Sequence, residues 1–332
     1  TIFNLIFFLP IILNYFLDMT KEQNSKSLSN NNTLLSATLI DLNLSNSQLY
    51  NIPNSLNMLK ELLEVLSLNT NHLTNLPDSC AKLNKLEVLY LNDNKFKWIP
   101  NCISKGMKNL QILEFSCNIN SKLDFYPLST NLTTFYAEKN NVCLSFPKWI
   151  LNSRYKKLET VSLNETRFQT LNLPKKSSIS YVKKLLMKQC NLSTTMPINT
   201  KKILSSLKTI DICNTGLSSI PEMINKFTNL SELNLGYNNI FFLPEEICSL
   251  KNLSRLIINN NHLTNLPENI GELTLLEELK LRHNYLNELP ESIKLLHNLK
   301  YIDLYNNEFE MAPEIIFNLP NLKGLDFEQN YF

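Results

Sequence analysis

Residues 253–275 read LSRLIINNNHLTNLPENIGELTL, and residues 276–298 read LEELKLRHNYLNELPESIKLLHN. The two lines align without a gap. Leu253, Leu256, Ile258, Asn261, Leu263, Leu266, Pro267, Ile270 and Leu273 recur 23 residues later as Leu276, Leu279, Leu281, Asn284, Leu286, Leu289, Pro290, Ile293 and Leu296. A fixed period of a few tens of residues marks a chain built from stacked repeats, each too small to bury its own apolar face. The phrase Asn-His-Leu-Thr-Asn-Leu-Pro occurs twice verbatim, at residues 71–77 and 261–267. Walking the pattern both ways gives starts at Leu39, Leu63, Leu86, Leu110, Leu132, Leu158, Val182, Leu207, Leu230, Leu253, Leu276, Leu299 and Leu322, spaced 22 to 26 residues apart.

Within a repeat, the alternation in LxxLxLxxN has the period of a half-buried strand, leucines inward and variable residues outward. The Asn position is filled by Asn71, Asn94, Asn118, Asn140, Asn238, Asn261, Asn284, Asn307 and Asn330, and by Ser47, Thr166, Cys190 and Thr215 elsewhere. A buried amide there can satisfy backbone groups that would otherwise be orphaned. In the LPxxIxxL half, Pro sets φ at the start of a short helical turn, while Ile and Leu point back inward.

The pattern LxxLxLxxNxLxxLPxxIxxLxx resembles the short leucine-rich repeat of the LPxxI subclass, over residues 39–332. The resemblance implies an α/β leucine-rich repeat solenoid of about thirteen units. Its right-handed coil would carry a parallel β-sheet on the concave face and short helices or 3₁₀ turns on the convex face. It also implies a non-catalytic protein–protein interaction scaffold or adaptor, since the subclass occurs in Ras-binding scaffolds, Scribble-type polarity proteins and many bacterial proteins. Two alternatives stay open: an exported or surface-attached adhesion or virulence-type recognition protein, and the recognition segment of a larger signalling enzyme.

Net charge is +2 and 43% of residues are hydrophobic, so neither disorder nor a nucleic-acid-binding charge balance is indicated. The five glycines fall in no GxGxxG or GxxxxGK[ST] motif. The four histidines, His72, His262, His283 and His297, have no metal-ligand spacing, and no nucleophile sits in a recognisable elbow. The reading is therefore no enzyme, no metal and no cofactor. The seven cysteines, Cys80, Cys102, Cys117, Cys143, Cys190, Cys213 and Cys248, occupy differing repeat positions; Cys80 and Cys102 come nearest to register, one position out. No disulfide framework is read from them.

Residues 1–17 (TIFNLIFFLPIILNYFL) are apolar. They fit a signal peptide lacking its basic start, a membrane anchor, or sequence preceding a true start at Met19. Membrane contact follows only if they are retained. Cytoplasmic placement is slightly favoured, with secretion or surface display as the alternative. Residues 19–38 read as a polar leader with a minimal cap, and the last repeat, LKGLDFEQNYF, as truncated.

From Thr166 to Ile210 there is no acid, while Arg167, Lys175, Lys176, Lys183, Lys184, Lys188, Lys201, Lys202 and Lys208 are basic. The candidate partner-binding residues are the outward strand and near-strand positions Tyr90, Tyr136, Lys184, Lys188, Tyr237, Arg255, Lys280, Arg282, His283, Tyr301 and Tyr305. Tyr and Arg dominate interface hot spots. Arg255, Lys280, Arg282, His283, Tyr301 and Tyr305 span three neighbouring repeats and are expected to form one patch.

Overall fold

The computed structural model describes residues 40–118, 123, 125–140, 146–168, 180–191 and 205–331. The leader and cap expected at residues 1–38 lie outside them, as do Cys143, Lys175, Lys176, Lys201 and Lys202. The chain divides into two compact blocks. The N-terminal block comprises Thr1–Cys143 and Arg154–Leu158, and the C-terminal block Leu144–Ser153 and Glu159–Phe332.

The N-terminal block carries strands β1 (Asp41–Asn43), β2 (Val65–Ser67), β3 (Val88–Tyr90), β4 (Ile112–Glu114) and β5 (Thr134–Tyr136). Each is parallel to the next, and the register puts equivalent repeat positions side by side: Asp41, Val65, Val88, Ile112 and Thr134 form one row. The C-terminal block carries β6 (Thr160–Ser162), β7 (Lys184–Leu186), β8 (Thr209–Asp211), β9 (Glu232–Asn234), β10 (Arg255–Ile257), β11 (Glu278–Lys280), β12 (Tyr301–Asp303) and β13 (Gly324–Asp326). They pair in the same parallel, in-register way.

The leucine spacing explains the strands of both blocks. The central residue of most strands is buried and its neighbours are half exposed, so the period-two leucines line the core. Leu63, Leu66, Leu68, Leu253, Leu256 and Ile258 are all fully buried. Each such side chain contributes roughly 1.5–3 kcal/mol through removal of apolar surface from water.

A strand this short must turn sharply, and the ladder Asn makes the turn tolerable. Asn261 donates from Nδ2 to the carbonyls of Leu235 (3.0 Å) and Ile258 (3.2 Å), while its Oδ1 accepts from the Ile240 N–H at 3.0 Å. Asn71 does the same toward Leu44, Leu68 and Leu49, each at 2.9 Å. One side chain thus closes backbone groups of two successive repeats. At the substituted positions less is made: Thr215 Oγ1 donates to Ile212 and Cys190 Sγ to Leu163. The residue just before the ladder position is left-handed in every repeat, from Asn46 through Thr70, Asp93, Tyr237 and His283 to Gln329, with φ between 52° and 61°. Asn and Asp tolerate that conformation; Thr, Tyr and His adopt it at a cost the surrounding bonds offset.

The return segments are 3₁₀ turns in most described repeats, such as Glu245–Ser249 and Glu291–Leu295, and α1 (Asn101–Lys105) is α-helical. Pro77, Pro221, Pro244 and Pro290 precede them with φ from −63° to −73°. A further Asn row ties the returns together. Asn229, Asn252, Asn298 and Asn321 each donate to a carbonyl 24 residues earlier, at 2.6–2.7 Å. The side-chain amides of Asn229 and Asn252 thus serve the backbone of the preceding repeat. No helix among the described residues is long and apolar enough to cross a membrane.

Candidate functional site

Strands of three residues present only two outward side chains each, plus one just beyond. The sheet face is thus three rows deep, and the third row has its own hydrogen-bond rule. In the N-terminal block Asn92 N–H donates to Asn69 Oδ1, Ser116 N–H to Asn92 Oδ1, and Glu138 N–H to Ser116 Oγ, at 2.7–3.0 Å. In the C-terminal block Arg282 N–H uses Asn259 Oδ1 at 3.0 Å. Cys213, Gly236, Tyr305 and Glu328 instead donate to the acid or amide two residues back: Asp211, Asn234, Asp303 and Asp326. The repeat needs an acceptor at one place or the other, which is why acids recur on this face.

Those acids change the reading of the cations. Arg255 lies between Glu232 (3.3 Å) and Glu278 (2.7 Å), and Lys280 Nζ is 2.6 Å from Glu278. Arg282 is shared by Asp303 (3.6 Å) and Asp326 (3.7 Å), and Lys188 pairs with Asp211 at 3.4 Å. Arg255 Nη1 donates to Glu232 Oε1 at 3.3 Å, whereas among the described residues the Nε–H groups of Arg255 and Arg282 have no aligned acceptor. Side chains a third or more exposed contribute about 0–1 kcal/mol per pair to stability. Their structural effect is to hold long side chains in place. The sequence reading named the bases and rings of the patch and did not pair them with the acids between them.

The patch nonetheless gathers in space. The Arg282 guanidinium lies 4.5 Å from the Tyr305 ring centroid, and His283 meets that ring edge-on at 5.4 Å. His283 Nδ1 is 2.6 Å from Asn306 Nδ2. Tyr301, in β12, is about half exposed and lies beside Glu278 and Gly324 in register. Of the other candidates, Tyr90 and Tyr136 flank Glu114 on the N-terminal block and are half-buried. Lys184 is exposed in β7, with no ion pair among the described residues. Tyr237 occupies a left-handed turn at the strand's end, as does His283, and is exposed.

One feature of this chain went unread in the sequence. Beyond the strands, Phe241, His262 and Tyr285 stack in a row, with centroids 5.0 and 5.8 Å apart and planes within 27° and 15°. Tyr50 and His72 repeat the pair at 4.9 Å in the N-terminal block. The legible signal is an aromatic three places after the ladder position followed, one repeat on, by a ring immediately after it.

Cys80, Cys102, Cys190 and Cys248 are buried and reduced. Burial pushes Cys80 and Cys248 up to about 12, and Cys102 higher still, with Cys80 and Asp78 adding to the effect. Among the described residues no group of His, Cys, Asp or Glu could hold a metal ion.

A family model described as a leucine-rich repeat region matches residues 162–284. No curated protein sequence matches the chain. Among solved structures, a leucine-rich repeat protein of Leptospira interrogans is 27% identical over 89% of this chain and 91% of its own, with a TM-score of 0.54. The plant peptide hormone receptor RGFR1, in complex with RGF2, is 26% identical over 89% of this chain and 56% of its own, with a TM-score of 0.53. An internalin of Listeria monocytogenes shares the fold at 19% identity and a TM-score of 0.66, covering 95% of this chain and 88% of its own. The fold is a leucine-rich repeat solenoid.

Proposed function

We propose, from the premise that this chain is a leucine-rich repeat protein, that its outer sheet face recognises a protein partner without catalysing a reaction, as a scaffold or adaptor. The leucine-rich repeat fold is commonly a protein–protein interaction module. The observation that carries the reading here is the ordered lattice on β10–β13: Arg255, Lys280 and Arg282 locked among Glu232, Glu278, Asp303 and Asp326, beside Tyr301 and Tyr305. Long side chains already held in one geometry lose little freedom on binding, so less of the contact energy is spent on ordering them. Tyr and Arg supply the contact types that dominate interfaces. The plant receptor to which the chain is similar is seen in complex with RGF2, in keeping with a protein partner.

The test is affinity capture from the native source with the full chain and with Arg282→Glu combined with Tyr305→Ala. Loss of the captured partner at an unchanged melting temperature is expected. Equal capture by both proteins would remove β10–β13 from consideration.

A further inference from the structure

Between each ladder Asn and the Pro of its return, the chain runs along an edge of the sheet, and the two blocks load that edge differently. On the C-terminal block, residues 238–246, 261–268 and 284–288 carry Glu245, Glu246, Glu268 and Glu288 and no Lys or Arg. The acids of the sheet are each taken by a base. Glu245, Glu268 and Glu288 are exposed, and among the described residues none of them has an ion pair.

The same edge shows its rings. Phe241 and Phe242 are 57% and 61% exposed, and Tyr285 is 46% exposed. Stacking through His262 fixes Phe241 and Tyr285 in one row, so they have little freedom to lose on contact. Whole repeats, residues 207–229 and 299–321, flank this surface on both sides.

The equivalent edge of the N-terminal block is hollow and basic. A cleft of about 640 Å³ is lined by His72, Lys95 and Lys97 among others, and Asp93 is the one acid of its lining. Both lysines are exposed, and among the described residues neither has an ion pair.

We propose that the ringed edge of the C-terminal block docks on the N-terminal cleft of a second copy of the chain. Phe241 and Phe242 enter the cleft, and Glu268 and Glu288 meet Lys95 and Lys97. Burying the rings supplies the attraction, and the opposite charges set which surface meets which. The same acids repel a nucleic acid or an anionic membrane from the rings. Each copy carries one surface of each kind, so the contact joins unlike faces. The inference goes beyond partner recognition by the sheet face and uses none of its residues.

The test is sedimentation equilibrium of the full chain over a protein concentration series. Reversible association is expected, weakened about tenfold from low to high salt. Lys95→Glu with Lys97→Glu, and Glu268→Lys with Glu288→Lys, are each expected to weaken it about tenfold at an unchanged melting temperature. Mixed in equal amounts, the two variants are expected to associate again, because the first keeps the acidic edge and the second keeps the lysine cleft. Phe242→Ala is expected to weaken association of the unaltered chain and, placed in the first variant, of the mixture. A chain that stays monomeric at every concentration, association that neither double variant disturbs, or variants that stay apart when mixed would overturn the proposal.

Discussion

The two blocks share a framework and differ in what they show to solvent. On the N-terminal block, β2–β4 present the apolar row Val65, Val88 and Ile112, and the third row is an uncharged Asn and Ser ladder that hydrogen-bonds from repeat to repeat. On the C-terminal block, β8–β13 present Asp211, Glu232, Arg255, Glu278, Lys280, Asp303 and Asp326, cross-linked by ion pairs. Inward leucines and ladder asparagines answer backbone needs common to every repeat. Outward residues answer only the third-row acceptor rule, which Asn and Asp meet equally well. That freedom allows one face to carry an isolated acid such as Glu114, hydrogen-bonded by Asn92, and the other a charged lattice.

The largest effect should come from the shared framework. Asn261→Ala would orphan the Ile240 N–H inside the core and take one of two amide donors from the Leu235 and Ile258 carbonyls, which keep Asn238 and Asn284, a loss of about 3 kcal/mol. Cys190→Ala, at a ladder position where a weak S–H donor stands toward the Leu163 and Lys188 carbonyls in place of an amide, should cost about 1 kcal/mol or less. Chemical denaturation of the two variants measures the gap; equal costs would mean the ladder amide is dispensable. Next comes Gly271, whose added Cβ would fall 2.0 Å from the Ser292 carbonyl oxygen. Because backbone cannot yield as a side-chain end can, Gly271→Ala should cost about 1–3 kcal/mol, seen as a lowered melting temperature.

Buried thiols add a pH dependence, with Cys248 in the C-terminal block and a pair in the N-terminal one. Cys80 and Cys102 are buried together in the N-terminal block, each with its pKa raised. The unfolded chain loses these protons first, near the ordinary thiol value of about 8.5, while the folded chain keeps them to about 12. Stability contributed by the neutral thiols is therefore complete below that ordinary value and falls as pH rises through the window above it. Cys80→Ala with Cys102→Ala should flatten this alkaline decline, and an unchanged slope would contradict it. The smallest effect is on the lattice itself. Arg255→Ala, with its side chain 41% exposed, should change stability by less than about 1 kcal/mol.

How much of this was legible depended on whether a residue obeys the period. Leu256, Asn261 and Pro244 do, and the parallel strands, buried ladder and 3₁₀ returns follow from their spacing. The residues from Arg255 to Tyr305 lie on neighbouring strands because a 23-residue step in sequence is one strand spacing in space. What period alone did not disclose was pairing across the step. Glu278 between Arg255 and Lys280, or Asp303 beside Arg282, becomes visible only when the register is known. The left-handed turn before each ladder residue was hidden for a different reason: Thr70, Tyr237 and His283 are poor local signals for it, and the ladder imposes it.

The most direct test of the partner-binding face is a hydrogen-exchange and hydroxyl-radical footprint of the full chain with its captured native partner. Protection centred on Arg255, Lys280, Arg282, Tyr301 and Tyr305, with the Val65–Val88–Ile112 row and the returns left unchanged, is the expected result. Protection confined to that apolar row or to the return turns, with β10–β13 as reactive as in the free chain, would contradict it.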